Sequence, residues 1–291
     1  MSDSDAPPSQ REPRAMSFAG AAGWTAGIVL LWDAAIELTE AVRPGANGDL
    51  VNVTLCHALV HTAALFLLLR LYRPDDRLRD ALGVRAVNPA LVPFFAMLGA
   101  GLYPALARVD ERLAAAFPSS TEDIELAERL VSAPTTATRV SVLVSLVLVI
   151  PLAEELFFRG MVFGALLKGR GPWPQRGALV VVATAAYFAL ARMDPRALPS
   201  GFVLGLCLAW LRLGSGSIVP AIVAHAAYFA VPLWPLLRSG PVADDASYTL
   251  YVVLVGVGGV LLSAVALRFW LPRDTRAREA CQADALSTTL A

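Results

Sequence analysis

Charge is scarce in this chain. Aspartate, glutamate, lysine and arginine make up 16% of the 291 residues against 56% hydrophobic, and the mean hydropathy is +0.59. Ordinary soluble domains carry about 25% charged residues, so a water-exposed globule is excluded and an integral membrane protein is expected. Lysine is nearly absent: Lys168 stands alone beside 23 arginines, a usage that with the high alanine content is associated with GC-rich bacterial genomes. Cysteine is sparse too. Cys56, Cys207 and Cys281 fall in two apolar runs and the tail without paired spacing, which excludes a disulfide framework or a cysteine-based zinc pattern. The long apolar runs lack dyad alternation, so helices rather than a barrel are expected to satisfy the backbone in lipid. With 24 basic and 24 acidic residues the net charge is zero and says little about partners; the expected surroundings are the lipid bilayer, with no nucleic acid.

A hydrocarbon core of about 30 Å calls for roughly 20 apolar helical residues. Candidate spans at that length or approaching it are 16 to 38, 50 to 71, 90 to 107, 139 to 166, 177 to 193, 197 to 213, 216 to 237 and 248 to 270. The expected fold class is therefore all-α, a polytopic transmembrane helical bundle of about eight spans. Pro93, Pro104, Pro151, Pro220, Pro232 and Pro235 predict kinks. The first run carries Asp33 and Glu37 and is read as a retained span rather than a cleaved signal peptide. The expected organisation is a disordered tail over 1–14, three helices and an external connection over 15–138, a core over 139–238, a last helix over 239–272 and a tail over 273–291. Ser119 to Val131 reads as a surface helix within the longest connection. Basic residues in the connections divide 15 to 8 in favour of the side holding both termini, so both termini are expected in the cytoplasm, as for a multi-pass protein of a cell inner membrane.

One stretch breaks the apolar pattern. Ala153-Glu154-Glu155-Leu156-Phe157-Phe158-Arg159-Gly160 places three ionisable groups within a span, and a charge at mid-bilayer costs about 2.5–3.5 kcal/mol on insertion scales. Such groups face a partner or a water-filled cavity, so a functional site is expected here. On a helix Glu155 and Arg159 are four apart and can pair, while Glu154 points about 100° away without a local partner. The pair suits either chemistry or simple helix-to-helix cohesion. Glu154 is the better candidate for a general base acting on water.

The residues Glu154, Glu155 and Arg159, followed by Gly160, Phe163 and Gly164, resemble the first motif of the CPBP family of intramembrane endopeptidases, which includes CAAX prenyl proteases and the bacterial Abi proteins of bacteriocin processing and immunity. Tyr187 to Arg192 resembles the second motif, and Gly216-Ser217-Ile218-Val219-Pro220 leading to His225 resembles the third. The resemblance covers about residues 140 to 232. It implies a helical-bundle hydrolase that cuts peptide bonds of a membrane-associated peptide or protein, with Glu154 activating water, Glu155 and Arg159 as a supporting ion pair, His225 as the third-motif histidine and Phe188 as an aromatic anchor.

Two positions depart from that pattern. Arg192 stands where the second motif has histidine, and a guanidinium offers no lone pair to a metal or a proton; it could donate to an oxyanion, or pair with Glu154 and weaken it as a base. Phe229 stands where the third motif has asparagine. His57 and His61, four apart on the second span, share a helix face and with His225 are weak candidates to hold a divalent metal such as zinc; the plainer reading is two imidazoles bonded to neighbouring helices, with no metal at all. Two functions follow: an active intramembrane endopeptidase, or a non-catalytic member that binds a membrane protein or peptide. A small transporter would predict internal repeats, and none is visible.

Overall fold

The computed structural model describes residues 15–74, 76–168, 173–237 and 250–270; the expected tails and Cys281 lie outside them. The described residues hold helices and no strand. They are α1 (Phe18–Val42), α2 (Leu50–Tyr72), the short α3 (Leu78–Leu82), α4 (Val92–Ala116), α5 (Thr121–Val131), α6 (Thr136–Leu167), α7 (Trp173–Leu190), α8 (Leu198–Ser215), α9 (Val219–Leu237) and α10 (Leu250–Trp270). Among the described residues, five helical stretches, Phe18–Val42, Leu50–Tyr72, Pro89–Ala116, Thr136–Leu167 and Leu198–Ser215, are long and apolar enough to cross a membrane, and three shorter apolar ones lie at Gln175–Leu190, Val219–Trp234 and Val252–Arg268. The polytopic helical bundle is as expected, and α5 occupies the place of the expected surface helix.

Local chemistry explains where these helices begin and end. The Ser17 hydroxyl accepts from the Gly20 amide and opens α1; the Asp49 carboxylate accepts from the Val51 amide and opens α2. Each satisfies an amide that has no partner within the helix. Gly216, at φ 66°, ends α8 in the left-handed region, where a side chain would be strained. The proline expectations divide by position. Pro93 and Pro220 fall in the first turns of α4 and α9, where no intrahelical bond is lost, whereas Pro104 lies inside α4.

Packing of α4 along α9 and α10, of α7 along α8 and of α1 along α2 builds the bundle, with the middle of α6 against α2 and α9. Small residues allow the closest approaches: a Cβ at Gly99 would stand 1.9 Å from the Ala224 carbonyl oxygen across the α4–α9 contact. Without a solvophobic drive between helices in lipid, such backbone proximity supplies much of the association. Phe95, Phe157, Phe158, Phe163, Phe188 and Leu208 fill the core, while Leu30, Leu38, Leu59, Phe66, Leu254 and Leu261 point outward, as a lipid-facing surface requires.

Sequence did not reveal that α6 is irregular. Two π-helical stretches, Val144–Val149 and Leu156–Val162, interrupt it, with the Phe163 amide donating to the Phe158 carbonyl five residues back. The two glutamates sit between these widened turns. Such insertions re-aim the side chains on a helix and recur at functional sites.

Candidate active site

Four elements bring the singled-out residues together. The α6 helix supplies Glu154, Glu155 and Arg159; the turn after α7 supplies Arg192; α9 supplies His225; and α2 supplies His57 and His61. His225 is placed by the third-motif stretch. After the Gly216 cap, the Ser217 hydroxyl donates to the Arg85 carbonyl at 2.8 Å and the Ile218 amide to the Gly83 carbonyl at 3.1 Å, fixing where α9 starts and therefore which way its second turn faces.

The inner half of the site is closed. Glu155, Arg159 and His225 are all 0% exposed. Arg159 Nη1 donates to Glu155 Oε1 at 2.9 Å, Arg159 Nη2 donates to the Gly205 carbonyl at 3.2 Å, and His225 Nδ1 lies 2.9 Å from the same Glu155 oxygen. Gly205 is required there, since a Cβ would stand 2.9 Å from the Ala185 Cα. With Nδ1–H given to a carboxylate, a neutral His225 carries its lone pair on Nε2.

That Nε2 faces Glu154. Its distance to Glu154 Oε2 is 3.6 Å; Arg192 Nη2 is 3.9 Å from the same oxygen, and His57 Nε2 is 3.9 Å from Glu154 Oε1. None of these is a hydrogen bond, and Glu154 Oε2, His225 Nε2, His57 Nε2, Arg192 Nε and Arg192 Nη2 are all buried atoms with no hydrogen-bond partner. Buried polar groups are ordinarily satisfied, by protein or by water, so four such atoms around one carboxylate whose own Oε2 is also unpartnered mark a place suited to a small polar guest. The Glu154 side chain keeps 13% of its exposure and Arg192 25%, which leaves this half open to an approach the inner half lacks.

Both guanidiniums lie against the Phe188 ring, with Arg159 Cζ 4.3 Å and Arg192 Cζ 4.8 Å from its centroid. The π system attracts each cation. Phe229 lies 5.3 Å from the His225 ring, tilted 32°, and Arg192 is 5.6 Å from it. The residue replacing the expected asparagine therefore packs on the imidazole and offers it no polar group.

A divalent zinc-like ion needs its nitrogen and oxygen donors about 2.0–2.2 Å from one point, hence about 3.4 Å from one another in a tetrahedral set. The Glu154-to-imidazole separations of 3.6 and 3.9 Å exceed that, Arg192 already brings a positive charge to Glu154, and among the described residues no three His, Cys, Asp or Glu side chains are grouped to hold a metal. The residues as placed do not fit such an ion. Asp33 and Glu37 are exposed on α1. The contributions of the Gly205 carbonyl and of Trp32, whose ring meets His57 edge-on at 5.3 Å, carried no sequence signal.

Residues 136–231 match the family described as type II CAAX prenyl endopeptidase, Rce1-like. The match covers about a third of the chain, runs from α6 into α9 and contains Glu154, Glu155, Arg159, Arg192 and His225 but neither His57 nor His61. No curated protein and no solved structure matches the chain. The family match supports the resemblance drawn from the motifs: this third of the chain is similar to CAAX-type prenyl endopeptidases.

Proposed function

We propose that this CAAX-type intramembrane protease homologue hydrolyses peptide bonds of membrane-associated peptides with Glu154 as the general base. The observation that carries the reading is the ring of unpartnered buried polar atoms around Glu154, beside an inner carboxylate already held by Arg159 and His225. A water seated there gives its proton to Glu154 as its oxygen attacks the carbonyl carbon. The developing oxyanion accepts hydrogen bonds from the Arg192 guanidinium. Glu154 then returns the proton to the leaving amine nitrogen as the C–N bond breaks, which leaves the carboxylate ready for another turnover. Glu155 and Arg159 hold His225 and do not touch the reacting atoms.

The test is incubation of the purified full chain in lipid nanodiscs with a farnesylated peptide ending in a CAAX sequence and with a set of membrane-spanning peptides, followed by mass spectrometry of new amino termini. New termini that vanish in Glu154→Gln, a loss on the order of 10³-fold or more, are expected. Cleavage that survives this substitution, or none on any peptide, overturns the reading.

A second reading is favoured by Arg192 beside Glu154 and Phe229 on His225: a non-catalytic member that binds a membrane peptide in the same cavity. Binding of the same peptides without new termini, unchanged in Glu154→Gln, would establish it. The 15-to-8 basic asymmetry supports cytoplasmic termini in either case. A reporter fused after residue 291 is expected to report the cytoplasm, and an extracytoplasmic signal would overturn that orientation.

A further inference from the structure

We infer that α2, a helix outside the matched segment, completes the water site, with His57 as a second imidazole holding the water that Glu154 activates. The inference rests on the reading of Glu154 given above. The chain has three histidines, and all three lie in this corner: His225 Nε2 is 3.6 Å and His57 Nε2 3.9 Å from Glu154 oxygens, and the His61 ring stacks on His57 at 3.9 Å with 24° between planes. A scatter of core histidines would not converge on one carboxylate.

The geometry separates bridging from direct bonding. Two atoms that share one water through hydrogen bonds of about 2.7–2.9 Å at an angle near 90° stand about 4 Å apart. Both imidazole-to-carboxylate separations are near that length, both nitrogens are unpartnered, and the side chains are 7% and 0% exposed.

His57 is also held in place, which a chance contact would not require. Trp32 meets one part of its ring edge-on at 5.3 Å and His61 covers a face. His61 Nδ1 lies 2.9 Å from the His57 carbonyl oxygen, to which it donates, and its ring meets Phe157 edge-on at 5.7 Å. His61 is therefore a positioning residue. In place of the imidazole that the second-motif resemblance leads one to expect, Arg192 presents only donors. His57 restores an imidazole beside the water: with its Nε2–H donating to the water oxygen, the water gives one proton to Glu154 and the other to the His225 Nε2 lone pair, keeps a lone pair for attack, and leaves Arg192 to serve the oxyanion.

The experiment uses the full chain in nanodiscs with the quenched farnesylated CAAX peptide or whichever membrane peptide yields Glu154-dependent termini. His57→Gln is expected to lower kcat by 30-fold or more with KM within threefold, and imidazole at millimolar concentration is expected to restore part of the rate to His57→Ala; a merely structural role would not be rescued in this way. His61→Leu is expected to lose less than tenfold. Loss of the His57→Gln effect, with wild type active and Glu154→Gln dead, overturns the inference and leaves the proposed function standing. If the wild type cleaves nothing, the proposed function fails first, and the site is then decided by nitrogen-15 histidine NMR in lipid, where three imidazoles give three assignable signal pairs. A contact from His57 Nε2 to a slowly exchanging water that disappears in Glu154→Leu supports the water site; its absence in the wild type overturns it.

Discussion

Glu154 and Glu155 are neighbours in sequence and opposites in circumstance. Glu155 is sealed at 0% exposure, with one oxygen taking both Arg159 and His225 at 2.9 Å. Glu154 has 13% of its side chain open and three cationic or imidazole groups at 3.6 to 3.9 Å, none bonded to it. Their difference teaches how one helix turn can divide labour: a carboxylate with one oxygen committed to two donors orients others, while one whose neighbours all stand beyond hydrogen-bond reach can receive a substrate or a proton. If both imidazoles are neutral, the two carboxylates are matched by the two guanidiniums of Arg159 and Arg192, so the cluster is uncharged as a whole, which lowers the cost of keeping it in lipid.

The strongest way to break this comparison is to remove one side of the closed half. Arg159→Met leaves Glu155 as an uncompensated buried charge, and such losses cost about 3–5 kcal/mol. Thermal unfolding in nanodiscs is expected to show a large fall in midpoint together with loss of cleavage. The double change Glu155→Gln with Arg159→Met removes both charges and is expected to recover much of the midpoint but not the cleavage, because His225 Nδ1 no longer meets a carboxylate. A single Arg159→Met as stable as wild type would show that the closed half is not what holds the helices together.

A smaller effect sharpens the open half. If Arg192 serves the oxyanion, Arg192→Gln is expected to reduce kcat about 10²–10³-fold with the fold intact. If it instead holds Glu154 inactive, the double change Arg192→His with Phe229→Asn is expected to gain cleavage or zinc binding over wild type, because one positive charge leaves and two groups able to hold a water or a metal enter. Measured rates and bound zinc for both variants separate the two outcomes.

Much of this was legible in the sequence because lipid makes charge conspicuous. Glu154, Glu155 and Arg159 stood out within an apolar run, their spacing foretold the pair, and the spans followed from length and hydropathy. The distances from α6 to α2 were not legible: His57 and His61 share a helix face by spacing, but which neighbour they meet depends on the packing of α2 against α6. The π-helical turns beside the glutamates were also hidden, since no residue type demands them. Pro93 and Pro220 misled as kink signals because a proline's effect depends on whether it falls in the first turn, which hydropathy alone locates only to within a few residues.

The smallest expected effect lies at the rim of the open half, in the turn that carries Arg192. Met193 there has φ 53°, an uncommon conformation for a side chain of this kind, and Asp194 receives a two-pronged bond from Arg196, with Nε to Oδ1 at 2.9 Å and Nη2 to Oδ2 at 2.8 Å. Chiefly through that side-chain hydrogen bond, Asp194 is held below its ordinary value of 3.8. A carboxylate whose folded value is depressed adds stability that is present above the unfolded value and lost as pH falls through the folded one. Asp194→Asn is therefore expected to lower stability at pH 7, with the difference shrinking as pH falls below 3.8. Because the pair is partly exposed and screened, the cost is at most about 0.5–1 kcal/mol, read as a small drop in unfolding midpoint. The same variant should lower cleavage only modestly, since Arg192 also rests on the Phe188 ring. A loss as large as that of Arg192→Gln would mean that the turn, rather than the aromatic ring, holds the guanidinium against Glu154.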